Sequence, residues 1–560
     1  MRFSNPLSEA PTVLSRRTLL KLAGLTTGGL LVAACTRSAP APSEEQPTPS
    51  GQEPASKPIN ESDAPAPAGD AAAEQAPAPA DGPRRGGRLR WGTAREPDGF
   101  LDPALGTGQP LTFANWIYEP LVNIDETFGE LVPRLAIDWR AEEGGSVWEF
   151  DLRQGVRFHH GREFVADDVV HTFERILDPD FGSPGRPVLS NIAEVSAVDE
   201  HTVRFQLVAA NTDFPVSLTG FQPKIVPYDL TDDEVNNEPR GTGPFQIERY
   251  ANADRIVFGR NPDYWDAERP YLDEVEVIAI PEATTLVNTL QAGDIDAVDA
   301  VPEPLMSLIE GNPDLSLLFG PPIQKEYIFM RLDVEPFTDE RVRRAFKLIP
   351  DRQAMAELSW AGIPHHVSDD NPVIPTNPLH LETDVWQQDL EEARRLLAEA
   401  GYGDGLEIDL WAMNDQYAVM EFCLAYADWA RQAGVTVNVQ GVPSDRYYAE
   451  KWLEVSFGTV GWSPRTTADE QLRIAYTSDA QWNETRYHDA DFDAMLDQAL
   501  AEPDTERRQA LYAELQRKLI AEGGQIIHAH HPVACAVRQN VHGYQYHPLD
   551  SVDLRSVWLS

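Results

Sequence analysis

Trp462 and Arg465 stand three residues apart in the stretch GTVGWSPRTTADEQ, residues 458–471. Together they offer one chemistry: an indole face for stacking beside a guanidinium that clamps an anion through two parallel hydrogen bonds. Both types also have structural uses, since Arg465 has Asp469 and Glu470 nearby for an ion pair and Trp462 suits a core. A second grouping is HAHH, where an extended strand would put His528 and His530 on one face and imidazoles would suit zinc or nickel. No cysteine or carboxylate stands at a fixed offset from these histidines, so the expectation is no metal site. His365 and His366 in PHH are expected in a loop. Signatures of phosphate-binding loops, nucleophile elbows, zinc proteases and dinucleotide folds are absent, so neither an enzyme nor a cofactor is expected.

The third chemical grouping is near the N-terminus. Ser15-Arg16-Arg17-Thr18-Leu19-Leu20-Lys21 resembles a twin-arginine export signal, with Arg16 and Arg17 as the pair that is read. The apolar run that follows is broken by Lys21, Gly24, Gly28 and Gly29, too short and glycine-rich to cross ~30 Å of hydrocarbon. It ends in Val32-Ala33-Ala34-Cys35, which resembles a bacterial lipobox; Cys35 would receive a lipid and become the mature N-terminus. Residues 1–34 are thus expected to be a signal peptide. Residues 35–85, dominated by Ala, Pro, Glu, Ser and Gln, are expected to form a disordered tether that reaches up to ~150 Å.

The 560 residues carry a formal charge of -44, and removing residues 1–34, with four basic and one acidic side chain, takes it to -47. That balance argues against nucleic acid, whose binding rests on Lys and Arg. Of the three cysteines, Cys423 lies in an apolar helix and Cys535 in an apolar strand, so buried free thiols are expected rather than a disulfide.

The elements that must position these groups alternate. Trp148, Phe150 and Leu152 follow a strand period, as do Val203, Phe205 and Leu207. ADDVVHTFERIL puts Val169, Phe173, Ile176 and Leu177 on one helical face, with Asp167 expected as the N-cap. DLEEARRLLAEAGY is a helix with Leu390, Ala393, Leu397 and Ala400 in one stripe, ended by Gly401 and supported by a Glu391–Arg395 pair. Strand LEIDLWA, helix YAVMEFCLAYADWARQAG and strand VTVNVQGV follow, and this alternation indicates α/β lobes.

IYEPLVNIDETFGELVPRLAIDW, WEFDLRQGVRFHHGREFVADDVVHTFERILDP, GTGPFQIERY, RNPDYWDAERPYLDEVEVIAIPEATTLVNTLQAGDIDAV, FTDERVRRAFKLIPDRQAM and YHDADFDAMLDQAL occur in the order found in the peptide/nickel class of ABC-importer solute-binding proteins. The resemblance covers residues 86–560. It implies a two-lobed fold like that of periplasmic binding proteins of type II, with an additional third domain and the ligand cleft between the lobes. It places a discontinuous first lobe at 86–120, 203–322 and 533–560, the additional domain at 121–202 and the second lobe at 323–532. FHH at His159 and His160 is then a family turn. Peptide-binding relatives use Trp-x-x-Asp to hold the peptide's ammonium; here Arg465 stands at the aspartate position, behind Gly461 and Trp462. Tyr327, Trp411 and Asn414 fall where relatives line the cleft. The implied protein is a monomer, lipid-anchored outside the cytoplasmic membrane, that binds a small peptide-like or oligosaccharide-like solute and delivers it to ABC permease subunits with a cytoplasmic ATPase. Arg465 would disfavour a free ammonium and prefer a neutral, hydroxyl-bearing solute. Alternatives are a metal-chelate or haem-type binder on the same fold and, from another class, a secreted enzyme.

Overall fold

The computed structural model describes residues 82–94, 101–106, 110–125, 130–251, 255–465, 467–547 and 551–560. The signal peptide, Arg16, Arg17, Cys35 and nearly all of the tether lie outside the described residues. No helix among the described residues is long and apolar enough to cross a membrane.

Two large sheets organise the molecule. The first has seven strands in the order Leu315–Phe319, Ala534–Arg538, Ala297–Val298, Arg88–Thr93, Glu274–Ala279, Arg255–Arg260 and Phe245–Ala251. Its central strand comes from the start of the described chain and its second strand from near the end, so one hydrophobic core joins Leu89, Trp91, Val277, Cys535 and Val537. The second sheet has five strands in the order Val435–Val442, Leu406–Met413, Phe457–Trp462, Lys325–Met330 and Gln525–Ile526. Helices Glu340–Leu348 and Tyr417–Gln432 bury Phe346, Phe422 and Tyr426 in the core beside it. Cys423 and Cys535 are both buried free thiols, as their apolar settings indicate.

A smaller four-stranded sheet, ordered Ala136–Glu142, Val147–Leu152, Thr202–Leu207 and Ile192–Asp199, packs on helix Ala166–Leu177. Val203, Phe205 and Leu207 do alternate inward. A boundary after residue 202 would cut off this strand, which pairs along its length with Val147–Leu152, and the shared core runs on to Phe214 and Ile225. The small unit therefore extends past Leu207, because hydrogen-bond pairing and core membership hold the strand there.

Two local expectations need correction. Helix Ala166–Leu177 is capped at Val165, whose N–H donates to the Asp168 carboxylate at 2.9 Å, while Asp167 is exposed; the carboxylate one turn in reaches back and satisfies the open end. Arg395 pairs with Glu392 and Glu399 rather than Glu391: two guanidinium nitrogens bond the Glu392 carboxylate and the third turns to Glu399, which leaves none for Glu391. Gly401 does end that helix, at φ +96°, a left-handed conformation glycine adopts without strain. Gly241, in GTGPFQIERY, has a different reason: a Cβ there would lie 1.8 Å from the carbonyl oxygen of Ile117.

The chain crosses between the large sheets twice, and the two crossings are bonded to each other. His531 and Gln324 exchange backbone hydrogen bonds of 2.9 and 3.0 Å, and Gly320 N–H donates to Val533 O at 3.1 Å. A two-stranded connection with few bonds bends more readily than a continuous sheet, which suits a hinge.

Candidate functional site

Beside this hinge lies a cavity of about 280 Å³. The first lobe contributes Trp91, Thr112, Asp299 and Glu303; the second contributes Gln324, Trp360, Ile363 and His531. Trp360 closes helix Arg352–Trp360, and its indole stacks on the His531 imidazole with centroids 3.6 Å apart and planes 16° from parallel. His531 Nε2 is 2.5 Å from Glu326 Oε2, so the ring is pinned on one face by the indole and at its edge by a carboxylate. The Trp360 indole N–H is buried with no hydrogen-bond partner among the described residues, and an unspent donor in a wall of this kind is costly unless a ligand accepts from it. Met306 of the first lobe packs against the cluster of Ala356, Trp360, Ile363 and Ala529, so this cluster meets both lobes. Among the described residues the lining holds two carboxylates, Asp299 and Glu303, and neither lysine nor arginine.

None of the six residues singled out from the sequence lines this cavity. Trp462 ends strand Phe457–Trp462 inside the core, where its N–H donates to Glu484 Oε1 at 3.2 Å. Tyr327 is fully buried in the same cluster and donates to the same oxygen at 2.6 Å. Arg465 lies over Trp462 at 5.3 Å and Trp482 at 5.9 Å, donates to the carbonyls of Ser463 and Pro464, and has Glu470 3.8 Å away. Gly461 pairs with Glu326, and its N–H donates to the Tyr448 hydroxyl at 3.3 Å. Trp411 is half-buried under the Lys451 ammonium, 3.8 Å from its ring, and Asn414 is exposed beside Gly441. Arg465 thus sits over the indole with Glu470 as its ion partner, Trp411 and Asn414 lie elsewhere, and the structure gathers Trp462 and Tyr327 around one buried carboxylate, Glu484.

That carboxylate is unusual. Burial pushes Glu484 up to about 7, with only the Tyr327, Trp462 and backbone donors and Lys325 opposing it. Lys325, fully buried and donating to Gln471 Oε1 at 3.2 Å, is brought down to about 7 by burial and then by Arg465. An acid whose folded value is raised stabilises the fold below its unfolded value and loses that contribution as pH rises through the folded one. From Glu484 alone, stability falls between pH 4.5 and 7 by up to about 3 kcal/mol. Glu484→Gln keeps an acceptor for Tyr327 and Trp462 and removes the titration, so its melting temperature is expected to change less than that of the wild type over this window. An unchanged pH profile in melts from pH 4.5 to 7 would show that Glu484 is ionised throughout.

Sequence reasoning missed Trp360, Asp299 and Glu303, which carry no motif spacing. HAHH marks His531 in the sequence only through its neighbours, whereas in the structure it stacks on a tryptophan far away in the chain.

The model of the bacterial extracellular solute-binding proteins, family 5, matches residues 130–484. Among curated relatives, Heme-binding protein A of Haemophilus influenzae is 29% identical over 496 residues, 81% of this chain and 89% of that protein. Di/tripeptide-binding protein 1 of Pseudomonas aeruginosa is 29% identical over 491 residues, 81% of this chain and 90% of that protein. The structure of HbpA2 from Haemophilus parasuis superposes with a TM-score of 0.74 at 25% identity, covering 85% of this chain and all of that one. These neighbours are two-lobed binding proteins, not enzymes. With two sheets joined by a bonded pair of crossings and a cavity between them, the chain belongs to the bacterial extracellular solute-binding proteins of family 5.

Proposed function

We propose that the chain is the receptor of an ABC importer, capturing a small peptide-like solute by an ammonium group in the cavity beside the hinge. The observation that carries this is the lining among the described residues: two carboxylates, Asp299 and Glu303, beside an indole stacked on an imidazole. An ammonium is attracted by Asp299 and Glu303, a flat or apolar part lies on Trp360, and a peptide carbonyl accepts the indole N–H. Arg465, held over its own loop, does not oppose this, so the preference for a neutral solute drawn from its position loses its basis. A net charge of -47 on the processed chain also favours cations over anions. One relative is named for di- and tripeptides. A second reading, a flat chelate of the haem type, draws on the name of another relative and on the parallel aromatic pair. A cavity of about 280 Å³ is at the small end of ligand pockets and favours the peptide over the chelate or an oligosaccharide.

In this reading the twin arginines direct export, Cys35 carries the lipid, and the tether keeps a monomeric receptor close to permease subunits driven by a cytoplasmic ATPase. The test is a thermal-shift screen with free and N-acetylated di- and tripeptides and oligosaccharides. Free peptides are expected to stabilise the protein, N-acetylated ones much less, and Asp299→Asn to narrow the difference. Equal stabilisation by acetylated peptides, or a response to oligosaccharides alone, would overturn the assignment. Fatty-acid labelling of cells should mark the wild type and leave Cys35→Ala unlabelled.

A further inference from the structure

Behind the cavity wall the structure assembles what the sequence does not announce. His366, expected in a loop, lies in the short strand His366–Val367 and pairs directly with His530. This pairing follows from the hinge geometry, since the chain after the first crossing returns along strand Ala529–His530. The loop that continues to residue 382 folds back, and ligand atoms of His366, His380 and Glu382 come within 4.8 Å of one another. The rings of His366 and His380 are 5.9 Å apart and nearly perpendicular. The absence of a carboxylate partner, which argued against metal in HAHH, is thus made good by a residue far from it in sequence.

Three details distinguish this from a chance cluster. His380 Nδ1 is 2.8 Å from the Val373 carbonyl, which can only accept, so Nδ1 carries the proton and Nε2 presents its lone pair. The Asn371 amide nitrogen, 3.4 Å from Nδ1, is already directed to Leu381 O and Gln516 Oε1. That Nε2 faces Glu382 Oε1 at 3.8 Å, and a backbone carbonyl holding the far nitrogen is the arrangement that orients metal-bound histidines. His530, with no exposed surface, has both ring nitrogens unpartnered and lies 6.4 Å, ring to ring, from His366. Burial lowers the pKa of all three imidazoles, which keeps them neutral and able to donate an electron pair.

We propose that His366, His380 and Glu382 bind one Zn²⁺ or Ni²⁺ ion, with His530 as a fourth donor from beneath. Bonds of 2.0–2.1 Å set tetrahedral donors roughly 3.3 Å apart. Glu382 is exposed, so its side chain can turn toward the imidazoles, and the half-buried His366 and His380 leave a path from solvent. The two nitrogens and one carboxylate form a borderline donor set that suits these ions better than calcium or magnesium. Because His530 and His531 are adjacent on the crossing strand, the ion would fasten the loop to the strand that carries the cavity's stacking imidazole.

The site is separate from the solute cavity, so it is tested without solute. Untagged full-length protein, stripped with chelator, is titrated with Zn²⁺ and then Ni²⁺ by calorimetry, and a cobalt-loaded sample is followed by its visible absorption. One ion per chain at micromolar affinity or tighter is expected. His366→Ala and His380→Ala are expected to weaken it by at least about tenfold and to alter the cobalt spectrum. Glu382→Gln, at an exposed position that does not threaten folding, should weaken binding in the same direction. His160→Asn, at a surface histidine near Asp229, should leave it unchanged. No saturable binding by the wild type would overturn the proposal, as would binding insensitive to the three ligand variants or lost in His160→Asn.

Discussion

Asp370→Asn is expected to destabilise the protein by about 3–5 kcal/mol in urea denaturation, the cost of breaking a buried ion cluster from one side. Asp370 and Arg352 have fully buried side chains joined at 2.7 Å, and the Lys347 ammonium lies 3.4 Å from the other carboxylate oxygen. The same carboxylate accepts the Ile527 N–H at 2.9 Å, tying the strand before the second crossing to the helices beside the five-stranded sheet. One negative charge therefore balances two cations, and burial already depresses Lys347 to about 8. Asparagine isolates the charge, because Asp370 sits at φ +75° and asparagine tolerates that left-handed conformation as aspartate does. A second substitution sharpens the test: Lys347→Met in the Asp370→Asn background should recover part of the loss, since it removes one stranded cation. A loss below about 1 kcal/mol would place the cluster among hydrated surface pairs.

The second large effect is on binding. Trp360→Ala is expected to weaken the best solute of the thermal-shift screen at least about 30-fold by calorimetry, the effect of truncating an anchor worth about 2 kcal/mol or more. Two contributions add in that number. The stack on His531 within a cluster that Met306 also packs against supplies buried area, and in the proposed complex the indole N–H supplies a hydrogen bond to the solute. Trp360→Phe separates them, keeping a ring on His531 and losing the donor, and should cost about 1 kcal/mol, roughly fivefold. Wild-type affinity in Trp360→Ala would move the solute out of this cavity.

Much of the framework is legible in the residue pattern because it is locally encoded. The period of two in TVRFQL, the apolar face of ADDVVHTFERIL and the strand–helix–strand run from Leu406 to Val442 each depend on neighbours a few residues away, and each appears where expected. Caps and pairs fail by one residue, as at Asp167 and Glu391, since several carboxylates compete for each position and geometry chooses. The cavity fails for another reason. Its walls come from Trp91, the 299–306 segment, Gln324, Trp360 and the second crossing, and no spacing links such distant positions. Trp462 is the reverse case: its motif is compact and local, yet its hydrogen-bond partner, Glu484, comes from another segment that no spacing links to it.

The seven-stranded sheet also sets an order of events during synthesis. Its strand Ala534–Arg538 lies between Ala297–Val298 and Leu315–Phe319, which do not pair with each other. A nascent chain can therefore complete the five-stranded sheet while the first lobe still has two open edges. Open edges invite pairing with other chains, so the interval before release is the one in which the polypeptide most needs a chaperone. Closure of the first lobe, in turn, reports that synthesis has passed Arg538, about 220 residues after the strand it joins.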